Sequence, residues 1–431
     1  MTNPPSASTP AREIPRLPRW DSSLALLADP YRFIQRACRA AGSDVVATRI
    51  LLRHTLCMTG PDAARLFYDP ERFARAGAAP EPLRATLFGK GGVQGLDGAA
   101  HRHRKALFLA LNHADLLAGL ERVAEREWHA CLRRPMGAAP VSLYAFAQDW
   151  LARSACAWVG LPLAEHDAAR RTRQLVALFD RAAAGVRGNL AARLARRRAE
   201  DWLAEQVMAA RLHHVEFEPD GMAHRVAWHH DAHGVLLPPR VAAVELLNVL
   251  RPIVAVSVFV VFAAHALECH PASYRVLARE DDAAYLEAFV QEVRRFYPFF
   301  PAVAARVVKR FEWEGRTFHP GTRALLDLHG TNHDARSWES PDEFRPARFL
   351  LRTPGAFDFV PQGGADAATH HRCPGEAVVV GLVKLAVRQL TRRTAYQVPA
   401  QDLRLDLSRL PALPRDRFLV TGLREKDVPV A

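Results

Sequence analysis

The run Pro252–Leu267, PIVAVSVFVVFAAHAL, constrains the fold more than any other stretch of the chain. Its 16 residues fall short of the ~20 needed to cross a bilayer, and His265 lies inside it. A helix apolar on every side has to be wrapped by protein. That takes a large core, and 431 residues allow either one large single-core domain or two to three ordinary ones. The helical pattern extends over 239–270, making this a long central helix. With 49% hydrophobic and 24% charged residues the composition is globular, which disfavours disordered, collagen-like and coiled-coil readings of the whole chain.

Around that helix the pattern is mostly helical with small strands. Helical spacing covers 20–40, 61–75, 97–127, 143–159, 165–215 and 281–297, and another helix is expected at 374–393. The β-branched stretch Asp44–Met58 reads as a small hairpin, and short strands alternate with turns over 303–330. Residues 216–238 form a polar, His-rich connection, and 331–372 are irregular. No repeats occur. The first 18 residues, rich in Pro, Ser and Thr with no apolar centre, read as a loose lead-in and not as a signal peptide; 19–431 read as one domain.

The formal charge of +12 comes almost entirely from arginine, with lysine only at 90, 105, 309, 384 and 426. Acids are interspersed, as in Arg193–Glu205, and no dense basic tail or nucleic-acid motif occurs. The reading is an Arg-rich solvated surface with no nucleic-acid partner; attraction to an acidic redox partner or an anionic substrate is the alternative. The six cysteines, at 38, 57, 131, 156, 269 and 373, form no CxxC pair. Mostly free thiols and the absence of a long enough apolar span predict a cytoplasmic protein with no stable membrane insertion. The HHDAH segment, with His229, His230, Asp231 and His233, reads as a polar turn before a helix, not a metal site.

Cys373 sits in FVPQGGADAATHHRCPG, directly before a helical run. Amides at a helix N-terminus favour a thiolate. Gly363, Gly364 and Gly375 leave room for close approach of a bulky flat partner. A buried structural cysteine is the plainer alternative. Taken together, Phe359, Gly363, His371, Cys373 and Gly375 resemble the heme-thiolate loop of the cytochrome P450 superfamily. Glu292 and Arg295 resemble its Glu-x-x-Arg pair, and Pro346–Phe349 the segment whose Arg348 closes an Arg–Glu–Arg network. Glu292 and Arg295, three apart, share a helix face, and two guanidiniums satisfy one buried carboxylate better than one. The resemblance runs from about residue 20 to the C-terminus. It implies a mainly α, single-domain fold with small β-sheets, holding heme b between the long central helix and the Cys loop. It further implies that Cys373 binds the heme iron and that His101, Lys105 and Arg306 are candidates for the heme carboxylates.

Superfamily members that activate dioxygen carry an acid followed by Thr in the central helix. This chain has neither Asp-Thr nor Glu-Thr between 239 and 270; Arg251-Pro252 stands there instead. That pair, with VAAVELLNVLRP and the long loop PQGGADAATHHRCPGE, resembles the fatty-acid peroxygenase family. The resemblance implies hydroxylation of long-chain fatty acids at the α or β carbon with hydrogen peroxide and without a redox partner. Arg251 also stands out by itself. Its helical neighbours Leu247, Asn248, Val254 and Ala255 are not acidic, and Glu245 lies about 240° round the helix. A buried unpaired charge costs several kcal/mol, so it needs an anion, either a carboxylate from elsewhere in the chain or a substrate. Pro252 removes a helix hydrogen bond and is expected to bend the helix.

By the same resemblance Gln94 faces the heme pocket, where decarboxylating relatives often carry His, and Phe88 lines it. Phe299, Phe300 and the Leu410–Pro414 loop are candidates for an apolar channel, with ordinary core packing the alternative. Competing functions are a fatty-acid decarboxylase forming terminal alkenes, a reductase-dependent monooxygenase and a non-catalytic heme-binding sensor.

Overall fold

The computed structural model describes residues 13–426 apart from 136, 138, 183, 220, 280 and 281. The principal helices are α1 (Ser23–Ala28), α2 (Phe33–Ala40), α3 (Gly98–Leu109), α4 (Ala114–Leu132), α5 (Leu143–Val159), α6 (Glu165–Asp180), α7 (Gly185–Arg211), α8 (Pro239–Cys269), α9 (Ala283–Phe296) and α10 (Glu376–Arg388). The main sheet contains β1 (Val45–Ile50), β2 (Arg53–Met58), β3 (Phe73–Ala74), β4 (Ala302–Val307) and β5 (Arg323–Asp327). Its order is β1-β2-β5-β4-β3. Three smaller sheets complete the strands among the described residues.

α8 is the axis. The 18-residue window that makes it apolar enough to cross a membrane is 94% buried inside the protein. α5, α6, α7, α9 and α10 all pack on it. The apolar run therefore does what its all-round hydrophobicity requires. Phe262 is fully buried and stacks on Tyr297 at 4.8 Å, and Phe259 lies 4.4 Å from Phe299. A second aromatic centre joins α4 to α5. Trp128 meets Trp150 edge-on at 4.8 Å, and both indoles find acceptors, Thr394 Oγ1 at 3.1 Å and the Ala124 carbonyl at 2.7 Å. Buried indoles need such partners.

Several expected segments are subdivided. The helical stretch 97–127 is two helices, α3 and α4, separated by a 3-10 turn at Ala110–Asn112. There Asn112 Nδ2 donates to the Pro374 carbonyl at 2.6 Å, so the break serves the Cys loop. The stretch 165–215 divides into α6 and α7, with Gly185 at φ +66° where the second begins. A short helix, Met222–Ala227, interrupts the connection over 216–238. The hairpin over 44–58 is present as β1 and β2, in the register Ile50↔Arg53. Of the expected lead-in, residues 1–12 lie outside the described residues. Residues 15–17 are not loose, because the Leu17 amide donates to Ala47 and the Ala47 amide to Pro15, adding a bridge beside β1. α8 continues through Pro252 as one helix.

Phe262→Ala removes the largest fully buried ring of the α8 surface that faces Tyr297, and should cost about 3–5 kcal/mol of stability. A urea midpoint of the heme-loaded protein unchanged by this substitution would contradict the packing.

Candidate functional site

The Cys loop is held from behind by α9. Glu292 is fully buried and receives both forks of Arg295, at 2.7 and 2.8 Å, together with Arg348 Nε at 3.2 Å and the Arg345 amide at 2.7 Å. Arg295 also donates to the carbonyls of Asn332, Pro341 and Glu343. One carboxylate thus saturates two guanidiniums that clamp the irregular segment leading into the loop. The neighbouring Arg294, unremarked in the sequence, reaches the loop itself. It donates to Gln362 Oε1 at 2.9 Å, pairs with Glu376 and lies 5.2 Å over the Phe359 ring. Arg372 Nε meets the same Glu376 at 2.6 Å.

Within the loop the Cys373 amide donates to the Gln362 carbonyl at 3.1 Å. Burial pushes the Cys373 thiol up; the Gly375 amide hydrogen-bonded to it, Lys105 and Arg294 act in the opposite direction. Gly363 has φ +98°, and a Cβ there would come within 2.9 Å of Tyr68 Oη. At Gly364 an added Cβ would meet the Ala356 carbonyl at 2.8 Å, so protein packing by itself demands that glycine. An added Cβ at Gly375 meets no protein atom within 4 Å.

His101 and Lys105 lie one turn apart on α3 and reach the loop together. Lys105 Nζ donates to the Arg372 carbonyl at 2.8 Å and to that of His370. His101 stacks on His371 at 3.9 Å, and His371 Nε2 sits 3.2 Å from Asp97. Burial, then His371 and Lys105, pull His101 down to about 3; burial pulls Lys105 down to about 8. Burial alone would raise Asp97, but His371 and the amides of Ala76 and Arg75 outweigh it and hold it at about 2. Arg75 completes the group. It depresses His101, His371 and Lys105, stacks on Phe67 at 4.7 Å and donates to the Ala304 carbonyl at 2.6 Å. Nothing in its surrounding sequence marks Arg75. Arg306, in contrast, is not brought here. Alternation along β4 turns it away from the buried Ala305 and Val307, and it stands exposed opposite Arg323.

On the α8 side, Arg251 is 6% exposed, its Nε has no partner, and no carboxylate pairs with it among the described residues. Burial, and next the cation of Arg196, pull it down to about 9, and the charge of Cys373 acts in the other direction. Glu245 is fully buried and paired elsewhere, with Arg104 at 2.7 Å and Asn248 Nδ2 at 2.8 Å. The 3-10 turn Val93–Gly95 lies against this stretch. A Cβ at Gly92 would sit 2.8 Å from Val244, 2.9 Å from Asn248 and 3.3 Å from Gln94 Oε1. Gln94 Oε1, Asn248 Oδ1 and Ser257 Oγ are buried without partners, as is Arg251 Nε. Phe88 ends a π-helical turn, Arg84–Phe88, whose carbonyls at 86, 87 and 88 are all held by Arg196. Phe300 is partly buried between the two larger apolar cores. Tyr31 Oη donates to the Phe299 carbonyl and accepts from the Ala412 amide, tying the Leu410–Pro414 loop to Phe299. In HHDAH, Asp231 caps a turn by accepting from the amides of His233 and Val235.

A family profile described as Cytochrome P450 matches residues 280–375, the span from α9 to the Cys loop. Cytochrome P450 71A8 of Mentha piperita is 27% identical over 140 residues, 31% of this chain and 27% of that protein. The match thus spans about a quarter of that curated relative. Solved structures match nearly end to end. Cytochrome P450SP alpha (CYP152B1), in complex with (R)-ibuprophen, is 45% identical with a TM-score of 0.91, covering 94% of this chain and 99% of that one. Cytochrome P450EX alpha (CYP152N1), with myristic acid, is 40% identical with a TM-score of 0.93, covering 96% and 100%. The chain belongs to the CYP152 family of cytochromes P450. A third CYP152-like structure, cytochrome P450 OleT with arachidonic acid, is 31% identical with a TM-score of 0.92 over 97% of this chain and 100% of that one. As a CYP152 protein it is a heme-dependent oxidoreductase of the fatty-acid peroxygenase type, with the single-domain, mainly α fold expected.

The residues fit that cofactor. A partly covered thiol near cations would supply a donor, and Lys105 and Arg75, with the neutral imidazole of His101 beside them, would suit a pair of carboxylates. Glu292→Ala leaves two guanidiniums buried without an anion and should cost about 3–5 kcal/mol. The check is the urea midpoint together with heme content; a variant with wild-type values for both would refute the clamp.

Proposed function

We propose that this chain hydroxylates long-chain fatty acids at the α or β carbon with hydrogen peroxide, without a redox partner, in the cytoplasm. The observation that carries the reading is Arg251, a buried guanidinium in the central helix with no anion of its own. The complexes of related proteins with myristic and arachidonic acid agree with an anionic lipid as its partner. Residues 19–431 form the catalytic domain.

Heme b, held through Cys373 and by His101, Lys105, His371 and Arg75 around its carboxylates, supplies the oxidation of a C–H bond at the expense of peroxide. Phe359 and the glycines at 364 and 375 shape the loop beneath it. Burial raises the Cys373 thiol, and the Gly375 amide and the cations Lys105 and Arg294 offset part of that in favour of the thiolate, the form that would bind metal. Arg251 holds the substrate carboxylate through a charge-assisted, two-pronged contact. That carboxylate takes a proton from one peroxide oxygen and returns it to the other, which leaves as water. Glu245, the nearer acid of α8, does not replace it, because it is engaged by Arg104 and Asn248. Pro252 cannot donate to the Asn248 carbonyl, which keeps that turn of α8 open beside Arg251. With the carboxylate fixed, the α and β carbons are the ones presented for attack. Phe88 and Phe300 line the path of the alkyl chain. Glu292, Arg295 and Arg348 keep the loop in place.

Arg251→Ala should abolish peroxide-driven oxidation of a long-chain fatty acid and leave heme content intact. The binding loss expected is about 2–5 kcal/mol. Arg251→Lys should also fail largely, since a point charge does not reproduce the planar fork. Turnover that requires NAD(P)H, a reductase and a ferredoxin, with none from peroxide, would overturn the reading in favour of a monooxygenase.

Gln94 is neutral and moves no proton near neutral pH, unlike a histidine. The product should accordingly be hydroxy acid with little terminal alkene. Mass spectrometry showing alkene as the main product of the unmodified protein would refute this.

A further inference from the structure

Two consecutive leucines occupy backbone that resists them. Leu51 and Leu52 connect β1 to β2 at φ +50° and +61°. A two-residue hairpin turn with both φ values positive favours Asn-Gly, and a bulky side chain there is strained. Packing does not compensate, because the two leucines are 50% and 66% exposed. They belong to a larger apolar patch. The Leu51 amide donates to Ser23 Oγ at 2.7 Å and the Leu52 amide to Asp21 Oδ2 at 2.8 Å, which ties the turn to α1. α1, SLALLA, buries none of its own residues; Leu24 is 82% exposed, and Leu27 and Trp20 are exposed beside it. The Arg49 guanidinium lies 5.7 Å over the Trp20 ring. Arg16, Arg19 and Arg53 are exposed around these residues. The acid inside the patch, Asp21, is occupied by the amides of Ser23 and Leu52.

We propose that this face docks peripherally on an anionic lipid surface. Trp20 and the leucines of α1 and the turn enter the headgroup boundary, and the arginine rim meets the lipid charge. Three features favour a lipid occupant. The apolar side chains stand exposed on the hairpin turn and on and beside α1, as knobs that a fluid surface can close around. Trp is the aromatic suited to a boundary with one wet and one apolar side. The rim is cationic on a chain of net charge +12, and each arginine near an anionic surface adds to the attraction. Strain at an exposed turn persists where it serves a purpose. The proposal does not depend on which reaction the site performs.

The test is co-sedimentation of the full-length, heme-loaded protein with phosphatidylcholine vesicles, with and without phosphatidylglycerol. Binding is expected only to the vesicles containing phosphatidylglycerol, weakening as salt is added. Leu51→Asn with Leu52→Gly supplies the residues the turn prefers, so the double variant should fold at least as stably by thermal midpoint. Its vesicle binding should fall at least about tenfold, with turnover of a dissolved short-chain substrate unchanged. Arg19→Gln with Arg53→Gln should weaken binding to these vesicles and reduce its salt dependence. The proposal is overturned if phosphatidylglycerol vesicles do not bind, if neutral vesicles bind equally, or if the turn variant binds as the wild type does. It is equally overturned if analytical ultracentrifugation shows a dimer that the turn variant dissociates, since the face would then belong to a second copy of the chain.

Discussion

A guanidinium placed in the middle of an apolar helix with no anion nearby is the constraint on which the rest of the site depends. Arg251 is carried by the helix on which α5, α6, α7, α9 and α10 all pack, so it cannot move to water without dismantling the core. The nearby charges worsen its position. Arg196 repels it, while Glu245, the nearer acid on the same helix, is spent on Arg104 and Asn248. A buried cation in that condition is a standing demand for a negatively charged ligand. The unpaired oxygens of Gln94 and Asn248 make a different demand, for a hydrogen-bond donor. The opposite wall is built on the inverse plan. Around Glu292 every lone pair and nearly every N–H is satisfied, and the result is a rigid seat for the Cys loop. One wall is complete and the other is left open, which is how a scaffold and a binding site differ physically.

Much of this was legible in the sequence because it rests on local spacing. Glu292 and Arg295 share a helix face by their separation alone, and the all-round apolar run could only be an inner helix. Arg251 was conspicuous because its helical neighbours can be enumerated from the sequence. Residues whose partners come from far along the chain were not legible. Arg75 joins His101 and Lys105 only through the sheet and the loop, and Arg294 was hidden beside the more conspicuous Arg295. Arg306 illustrates the converse. The family resemblance made it a candidate, but strand alternation, a two-residue period that shifts with a single step of register, points it away from Ala305 and Val307. The helix breaks at 110–112 and near 185 were missed because amphipathic periodicity carries on across a tight turn.

The amide of Asn248 has one permitted setting. Glu245, paired with Arg104, can only accept, so Asn248 must turn its nitrogen toward that carboxylate and leave its oxygen facing away, unpartnered. The orientation is dictated by chemistry and cannot relax by a flip. A guest beside this turn of α8 would therefore be asked for two things at once, negative charge for the guanidinium and a shareable hydrogen for this oxygen. Peroxide together with a carboxylate brings both. On the proposed reading a methyl ester of the same fatty acid brings the guanidinium no negative charge, so esterified lipids are expected to be screened out by polarity before their shape is ever tried.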